Sequence, residues 1–153
     1  MDAGASSFRF LVDHGGGGIL LIGRILLTGL FAFSARGHIR NHSRYVGVAR
    51  GKLPIPAVAG WPTGLFLVLA EVSIVVGIWP DIGALMLAAF VLPAAVLFHP
   101  FWTVSDPATR RTQEGAFYRN VTLFGASLSL FVLFAAVGHV PFALTGPALN
   151  LHS

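Results

Sequence analysis

Two charged residues of opposite sign lie inside long apolar stretches of the sequence. Arg24 stands in "GRILLTGL" and Glu71 stands in "LVLAEVSIVVG". Counting inward from the ends of these stretches, at about 1.5 Å per helical residue, places the two residues at depths of about 9 and 12 Å. Each charge alone would cost on the order of 3 kcal/mol or more near the centre of a bilayer, so pairing is favoured. We therefore predict an Arg24–Glu71 ion pair between two helices.

Two roles are open for this pair. In the first, the pair only fixes the register of the two helices, because buried charges need not be catalytic. In the second, Glu71 faces a cavity that admits a quinone or protons, and the pair belongs to a quinone or proton site. The residue pattern does not choose between these roles, and it identifies no catalytic residue.

A second polar set gathers where the apolar stretches end. His38 ends the first, His99 ends the third in "VLFHPFW", and Asn120 begins the fourth. Because Pro100 disfavours helix at the residue before it, His99 is expected to mark the end of a helix. We predict that the three side chains face one another across one mouth of a helical bundle, where His99 could contact a headgroup or a proton.

Metal and haem binding are two further functions open to these histidines. His38 and His42 are four residues apart and would share one face of a helix, as two zinc ligands can. No carboxylate of known position accompanies them, so we expect interfacial polar residues and no metal. A bis-histidine haem needs two histidines at matching depth, which His38 and His99 offer, but nothing else supports haem and we do not expect it.

Four apolar stretches must position these residues. They cover about 18–36, 57–79, 82–99 and 120–140, and a membrane-crossing helix takes about 20 mostly apolar residues. The 153-residue chain is 55% hydrophobic and 10% charged, whereas a soluble domain is about 25% charged. We therefore predict an all-α membrane protein, a single domain over residues 1–153 that forms a four-transmembrane-helix bundle. The first span lacks the features of a cleaved signal peptide and is expected to be retained.

The basic residues indicate the orientation of these spans. Five of the ten Lys and Arg residues stand between positions 36 and 52 and three between 110 and 119, whereas "WPDIG" on the opposite side has none. By the positive-inside rule, loops 37–56 and 100–119 face the cytoplasm and both termini face outward. This distribution explains the net charge of +4, so we expect no nucleic-acid partner. Residues 41–50 are open to two interpretations, a short interfacial helix or an irregular basic loop.

The chain contains no cysteine. It therefore supplies no disulfide, no thiol nucleophile and no thiolate ligand for zinc or an iron–sulfur cluster.

Taken together, these segments resemble the DoxX family of small four-span bacterial membrane proteins. The similarity runs from about Ile19 to Ala136. It rests on "GRILLTGLFAFSARGHI", "GKLPIP", "LAEVSIVVGI", "LFHPFW" and "FYRNVTLFGASLSL", in that order. Near "SARGH" the family usually has a glycine and often a lysine, where this chain has Ala35 and His38.

The resemblance implies a multi-pass protein of the bacterial plasma (inner) membrane in a redox context. Relatives include the quinone-linked subunit of a thiosulfate oxidoreductase and a maturation factor for methylamine dehydrogenase. We expect an accessory or structural subunit of a membrane redox or energy-converting complex, in contact with the lipid bilayer and other membrane subunits. No covalently bound cofactor is expected.

The alternative is a catalytic membrane subunit. Such a subunit would be a quinone-reactive oxidoreductase that uses Glu71, Arg24 and His99 around a quinone. Transport is a weaker third hypothesis, because four spans enclose little space and only one acidic residue is predicted to be buried.

Overall fold

The computed structural model describes residues 15–149 and residue 151. The N-terminal tail, with Arg9, and the last residues of the chain lie outside this range. The prediction that both termini face outward concerns these residues and therefore also lies outside the described range. All the described secondary structure is helical. The predicted all-α class is therefore confirmed for this part of the chain.

Five α-helices follow one another along the described chain. They are α1 (Gly17–Arg40), α2 (His42–Ala49), α3 (Trp61–Val72), α4 (Pro80–Phe98) and α5 (Pro107–Val137). A π-helical segment, Ser73–Gly77, continues α3 directly. Short 3-10 helices, Pro56–Ala59 and Phe101–Thr103, lie in the two connections that precede α3 and α5.

Three of the helices are long and apolar enough to cross a membrane, namely α1, α4 and α5. The second predicted span, residues 57–79, corresponds to a shorter apolar helix, Trp61–Gly77. At about 1.5 Å per residue it is about 25 Å long, somewhat less than a hydrocarbon core of about 30 Å. The structure thus supports a membrane protein with three spans by length, and the count of four is not confirmed.

The segment between the first two spans was open to two interpretations, and the structure shows a helix there. Helix α2 begins two residues after α1 ends, and its Tyr45 ring stacks on His38 of α1 with the ring centroids 3.8 Å apart. Helix α2 also packs against the 3-10 helix Pro56–Ala59.

The connection between α4 and α5 begins where Pro100 predicts it. Helix α4 ends at Phe98, because the proline ring disfavours helical backbone at the residue before it. The Phe101 ring then packs against Trp102 and Phe117, with centroid distances of 5.2 and 5.4 Å. This contact holds the connection against the first turns of α5.

The closely packed helix pairs are α1 with α3, α3 with α4, and α4 with α5. Large side chains from α1, α3, α4 and α5 form the core, including Phe31, Leu67, Leu87 and Phe134. Many apolar side chains point outward, and Leu26 and Phe33 of α1 are more than 70% exposed. Such an outer surface is typical of helices in contact with lipid, where each backbone group is satisfied within its own helix.

Candidate functional site

Arg24 is fully buried, and its guanidinium binds backbone carbonyls. Nε donates to the carbonyl oxygen of Ile74 and Nη2 to that of Val75, both at 2.7 Å. Nη1 donates to the carbonyl oxygen of Pro141 at 2.9 Å. Oε1 of Glu71 is buried and has no hydrogen-bond partner. The Arg24–Glu71 ion pair predicted from the sequence is therefore not formed in the structure.

The reason lies in the way α3 ends. The last carbonyls of a helix have no intrahelical donor, and inside a membrane each unsatisfied group costs several kcal/mol. In the π-helical segment Ser73–Gly77, the backbone N–H of Ile78 donates to the carbonyl of Ser73 at 3.1 Å. The next two carbonyls, of Ile74 and Val75, are those that Arg24 satisfies. Arg24 thus completes the hydrogen bonding of a helix end.

The remaining carbonyls of this segment are satisfied by residues 138–149, which we call the C-terminal strap. The N–H of Leu144 donates to the carbonyl of Val76 at 3.3 Å, and that of Thr145 to the carbonyl of Gly77 at 3.0 Å. Gly77 has a φ of 74°, and a Cβ atom at this position would collide with Ala143 of the strap. Glycine is therefore required by both the backbone conformation and the close approach.

Asp81 holds the end of the same strap. This residue is fully buried in the first turn of α4. Its Oδ1 accepts a hydrogen bond from the N–H of Ala148 at 2.9 Å, and its Oδ2 accepts one from the N–H of Leu149 at 2.7 Å. This role was not predicted from the sequence, where the only local signal was an acidic residue after Pro80 at a helix start.

At the opposite end of the bundle, the structure brings together His38, His99 and Asn120. All three line one cavity of about 680 Å³, which we call the histidine cavity. Its other polar lining includes Tyr45 and Gln113, which sequence reasoning did not select. The apolar part of the wall comes mainly from α4: Ala89, Phe90, Pro93, Ala94, Leu97 and Phe98. Glu71 lies outside this lining.

Hydrogen bonds orient both histidines. Nδ1 of His38 lies 2.6 Å from the carbonyl oxygen of Ala59. A carbonyl only accepts, so Nδ1 carries the hydrogen and Nε2 of the neutral ring is an acceptor. Nδ1 of His99 lies 2.8 Å from Oε1 of Gln113, and the same argument leaves its Nε2 available.

His42 is used differently from His38. Its Nδ1 accepts a hydrogen bond from the backbone N–H of Trp61 at 3.2 Å, and this bond ties α2 to the start of α3. Within residues 15–149 and residue 151, no group of three or more His, Asp or Glu side chains is arranged to hold a metal ion.

A second cavity, of about 710 Å³, lies beside the first, between α1 and α5. Four arginines from three helices line it: Arg36, Arg40, Arg44 and Arg119. We call it the arginine cavity. It shares six lining residues with the histidine cavity: Ser34, Arg44, Tyr45, Phe90, His99 and Asn120. Both predicted basic loops therefore contribute to the same end of the bundle, here called the basic end.

The DoxX family model matches residues 19–100, more than half of the chain. The chain belongs to the DoxX family. The match covers α1 to α4, and with them Arg24, Glu71, His38 and His99, whereas Asn120 and the rest of α5 lie beyond it. No curated protein and no solved structure shows significant similarity to the chain. The resemblance read from the sequence is thus confirmed, and the chain is a helical membrane protein of the DoxX family.

Proposed function

We propose that this DoxX protein is an accessory subunit of a bacterial membrane redox complex and holds a quinone for that complex in the histidine cavity. The observation that carries the proposal is the cavity itself. Its volume of about 680 Å³ falls within the range of about 300–1,000 Å³ typical of small-molecule sites. Its lining combines an apolar wall with a few convergent polar groups, as such sites do.

The polar groups of the cavity can bind both the oxidised form of a quinone, through its carbonyls, and the reduced form, through its hydroxyls. Oε1 of Gln113 bonds to His99, and this bond orients the amide. The N–H₂ groups of Gln113 and Asn120 are donors that suit a quinone carbonyl. Nε2 of neutral His38 is an acceptor and suits the hydroxyl of a quinol. Reduction of a bound quinone takes two electrons and two protons, and the histidines supply groups that can exchange the protons.

The electrons would come from a partner, which is why we propose a subunit and not a complete enzyme. The chain has no cysteine and hence no thiolate ligand for an iron–sulfur cluster. Its outer faces carry many exposed apolar side chains, such as Ile22 and Leu26, which suit contact with lipid and with other membrane helices. A bacterial plasma-membrane location, with the basic end in the cytoplasm and the shorter helix α3 completing a fourth span, belongs to the same proposal.

Filling the cavity tests this function. Ala94 lines the histidine cavity, so Ala94→Trp should expel the quinone. Ala32 is exposed on α1, and Ala32→Trp is the matched control. We expect quinone extracted from the protein, purified in mild detergent from native membranes, to fall to background in the first variant only. Equal quinone content in the wild type and both variants would contradict the proposal.

The subunit role has its own test. The same mild-detergent preparation is separated by native gel electrophoresis and assayed for quinone reduction. We expect the chain to migrate in a larger complex with a redox-active partner, and to lose quinone reduction when separated from it. A monodisperse, partner-free protein that reduces quinone would show that the chain is an enzyme by itself.

A further inference from the structure

The arginine cavity concentrates positive charge that a bound anion would neutralise. Arg36 and Arg40 come from the end of α1, Arg44 from α2 and Arg119 from α5. Arg36 and Arg40 are four residues apart on α1, and like charges at this spacing repel on a helix. Arg44 and Arg119 add two more positive charges to the same lining. No aspartate or glutamate is among the described residues that line the cavity. The repulsion is therefore not balanced by the cavity's own side chains.

The guanidinium groups also suit one particular kind of anion. Arginine presents a planar set of donors that matches the oxygens of a phosphate, often with two parallel hydrogen bonds. Four exposed arginines from three helices line the cavity, so a phosphate bound among them would bridge α1, α2 and α5. Since both α1 and α5 contribute arginines to the lining, such a bridge would also connect these two helices at the basic end.

One part of the lining is apolar, and this part favours a lipid as the source of the phosphate. Leu30, Phe31 and Phe33 of α1 and Leu123 of α5 line the cavity below the arginines. Leu30 and Phe33 are 46% and 77% exposed, so this part of the lining continues onto the lipid-facing surface of the bundle. Phe33 precedes Arg36 by about one helical turn, about 4.5 Å along the axis.

We propose that the arginine cavity is a binding site for an anionic phospholipid, with the phosphate among the arginines and an acyl chain along Leu30 and Phe33. Basic pockets between transmembrane helices bind anionic headgroups in this way. The site adjoins the proposed quinone site, with which it shares lining residues, but Arg36, Arg40 and Arg119 line the arginine cavity alone.

Native mass spectrometry of the full chain tests the site with two probes, phosphatidylglycerol and the zwitterionic phosphatidylethanolamine. The cavity variant is Arg36→Gln/Arg40→Gln/Arg119→Gln. The matched control, Arg50→Gln/Arg110→Gln/Arg111→Gln, removes the same charge from three equally exposed arginines that lie outside the lining. We expect the cavity variant to bind phosphatidylglycerol about tenfold more weakly or worse, and the control to lose about twofold or less. Phosphatidylethanolamine should bind weakly to all three proteins.

Two results would overturn the proposal. Equal loss in both triple variants would show diffuse attraction of anionic lipid to a basic surface. In the second, inorganic pyrophosphate protects the lipid-free protein against thermal unfolding as strongly as phosphatidylglycerol does, and the cavity variant loses this protection. Such a result would identify a soluble anion as the ligand. The quinone content of the same samples is measured in parallel, so failure of this site and failure of the quinone site are distinguished.

A measurement on the wild type keeps the test independent of how well the variants fold. Phosphatidylglycerol with a photoreactive acyl chain is crosslinked to the protein, and the labelled peptides are mapped. We expect labelling to concentrate at Leu30, Phe33 and Leu123. Labelling spread evenly over the exposed faces of the bundle, for example as strong at Leu65 and Leu69 of α3, would contradict a defined site.

Discussion

Arg24 and Asp81 are both fully buried, and both bind the backbone of the C-terminal strap. Arg24 donates to the carbonyl oxygen of Pro141, and Asp81 accepts from the N–H groups of Ala148 and Leu149. Each charge is therefore satisfied by peptide groups, which is one way to keep an ionised side chain inside a membrane protein. Arg24 connects the π-helical end of α3 to the strap, and Asp81 connects the start of α4 to it.

Replacing Arg24 should destabilise the protein strongly. Arg24→Met leaves three carbonyl acceptors without a donor, and an unsatisfied buried group costs about 1–3 kcal/mol, so the free energy of unfolding should fall by about 3 kcal/mol or more. Arg24→Lys should be intermediate, because a lysine cannot reproduce the planar set of donors. Thermal unfolding in detergent measures both, with Arg110→Met as an exposed control. Wild-type stability of Arg24→Met would refute the role in capping the helix end.

Glu71 should contribute little to stability, in contrast to Arg24. Its Oε1 has no hydrogen-bond partner, and removing an unsatisfied buried polar atom is often neutral or stabilising. We expect the free energies of unfolding of Glu71→Met and Glu71→Gln to lie within about 1 kcal/mol of the wild-type value. If both variants instead lose as much stability as Arg24→Met, the two residues form the ion pair in the membrane after all.

The half-buried Ser73 and the fully buried Ser127 offer a comparison between a bonded and an unbonded hydroxyl. Oγ of Ser73 lies 2.8 Å from the carbonyl oxygen of Ile78 and 2.9 Å from that of Trp79, whereas Oγ of Ser127 is buried without a partner. Ser73→Ala should therefore lower the free energy of unfolding by about 1 kcal/mol, and Ser127→Ala should leave it unchanged or raise it. The same unfolding assay compares them, and an equal loss in both variants would contradict the hydrogen-bond assignment.

Asp81 should control the order of the last part of the C-terminal strap, at Ala148 and Leu149. In Asp81→Ala the N–H groups of Ala148 and Leu149 lose their acceptor, and hydrogen bonds to charged groups contribute about 1.5–3 kcal/mol. We expect hydrogen exchange at these two amides to accelerate by about tenfold or more. The amide of Thr145 serves as an internal control, because it is bound to the carbonyl of Gly77. Unchanged exchange at Ala148 and Leu149 would show that Asp81 does not hold the strap.

Asp106 should give the start of α5 a pH dependence. Hydrogen bonds from the side chain and backbone of Thr109 lower the pKa of Asp106 below its ordinary value of 3.8. Because the folded pKa is below the unfolded one, this stabilisation is present above about pH 4 and is lost as the pH falls through the folded pKa. The chemical shift of the Thr109 amide should titrate with a midpoint below 3.8. Asp106→Ser caps the helix without a carboxyl, so its amide should show no such titration.

Much of the fold could be predicted locally. The apolar stretches predict α1, α4 and α5, because an apolar run of this length has one stable backbone conformation in lipid, the helix. His99 followed by Pro100 predicts the end of α4 to within a residue. The convergence of His38, His99 and Asn120 also follows from the sequence, since antiparallel helices with short connections bring alternate helix ends to the same side.

The partners of the charged residues could not be predicted in this way. The sequence determined that Arg24 is buried, since it lies in an apolar helix, but its acceptors are carbonyls, which every residue carries and which no sequence pattern distinguishes. The tertiary structure decided that these carbonyls have no donor within their own helix and can accept from Arg24. The reason is that α3 ends in a π-helical segment and the strap folds over it. In the same way, the sequence determined that the basic residues of segments 36–52 and 110–119 lie at one end of the bundle. Only the packing decided that Arg36, Arg40, Arg44 and Arg119 line a single cavity, because this depends on the gap between α1 and α5.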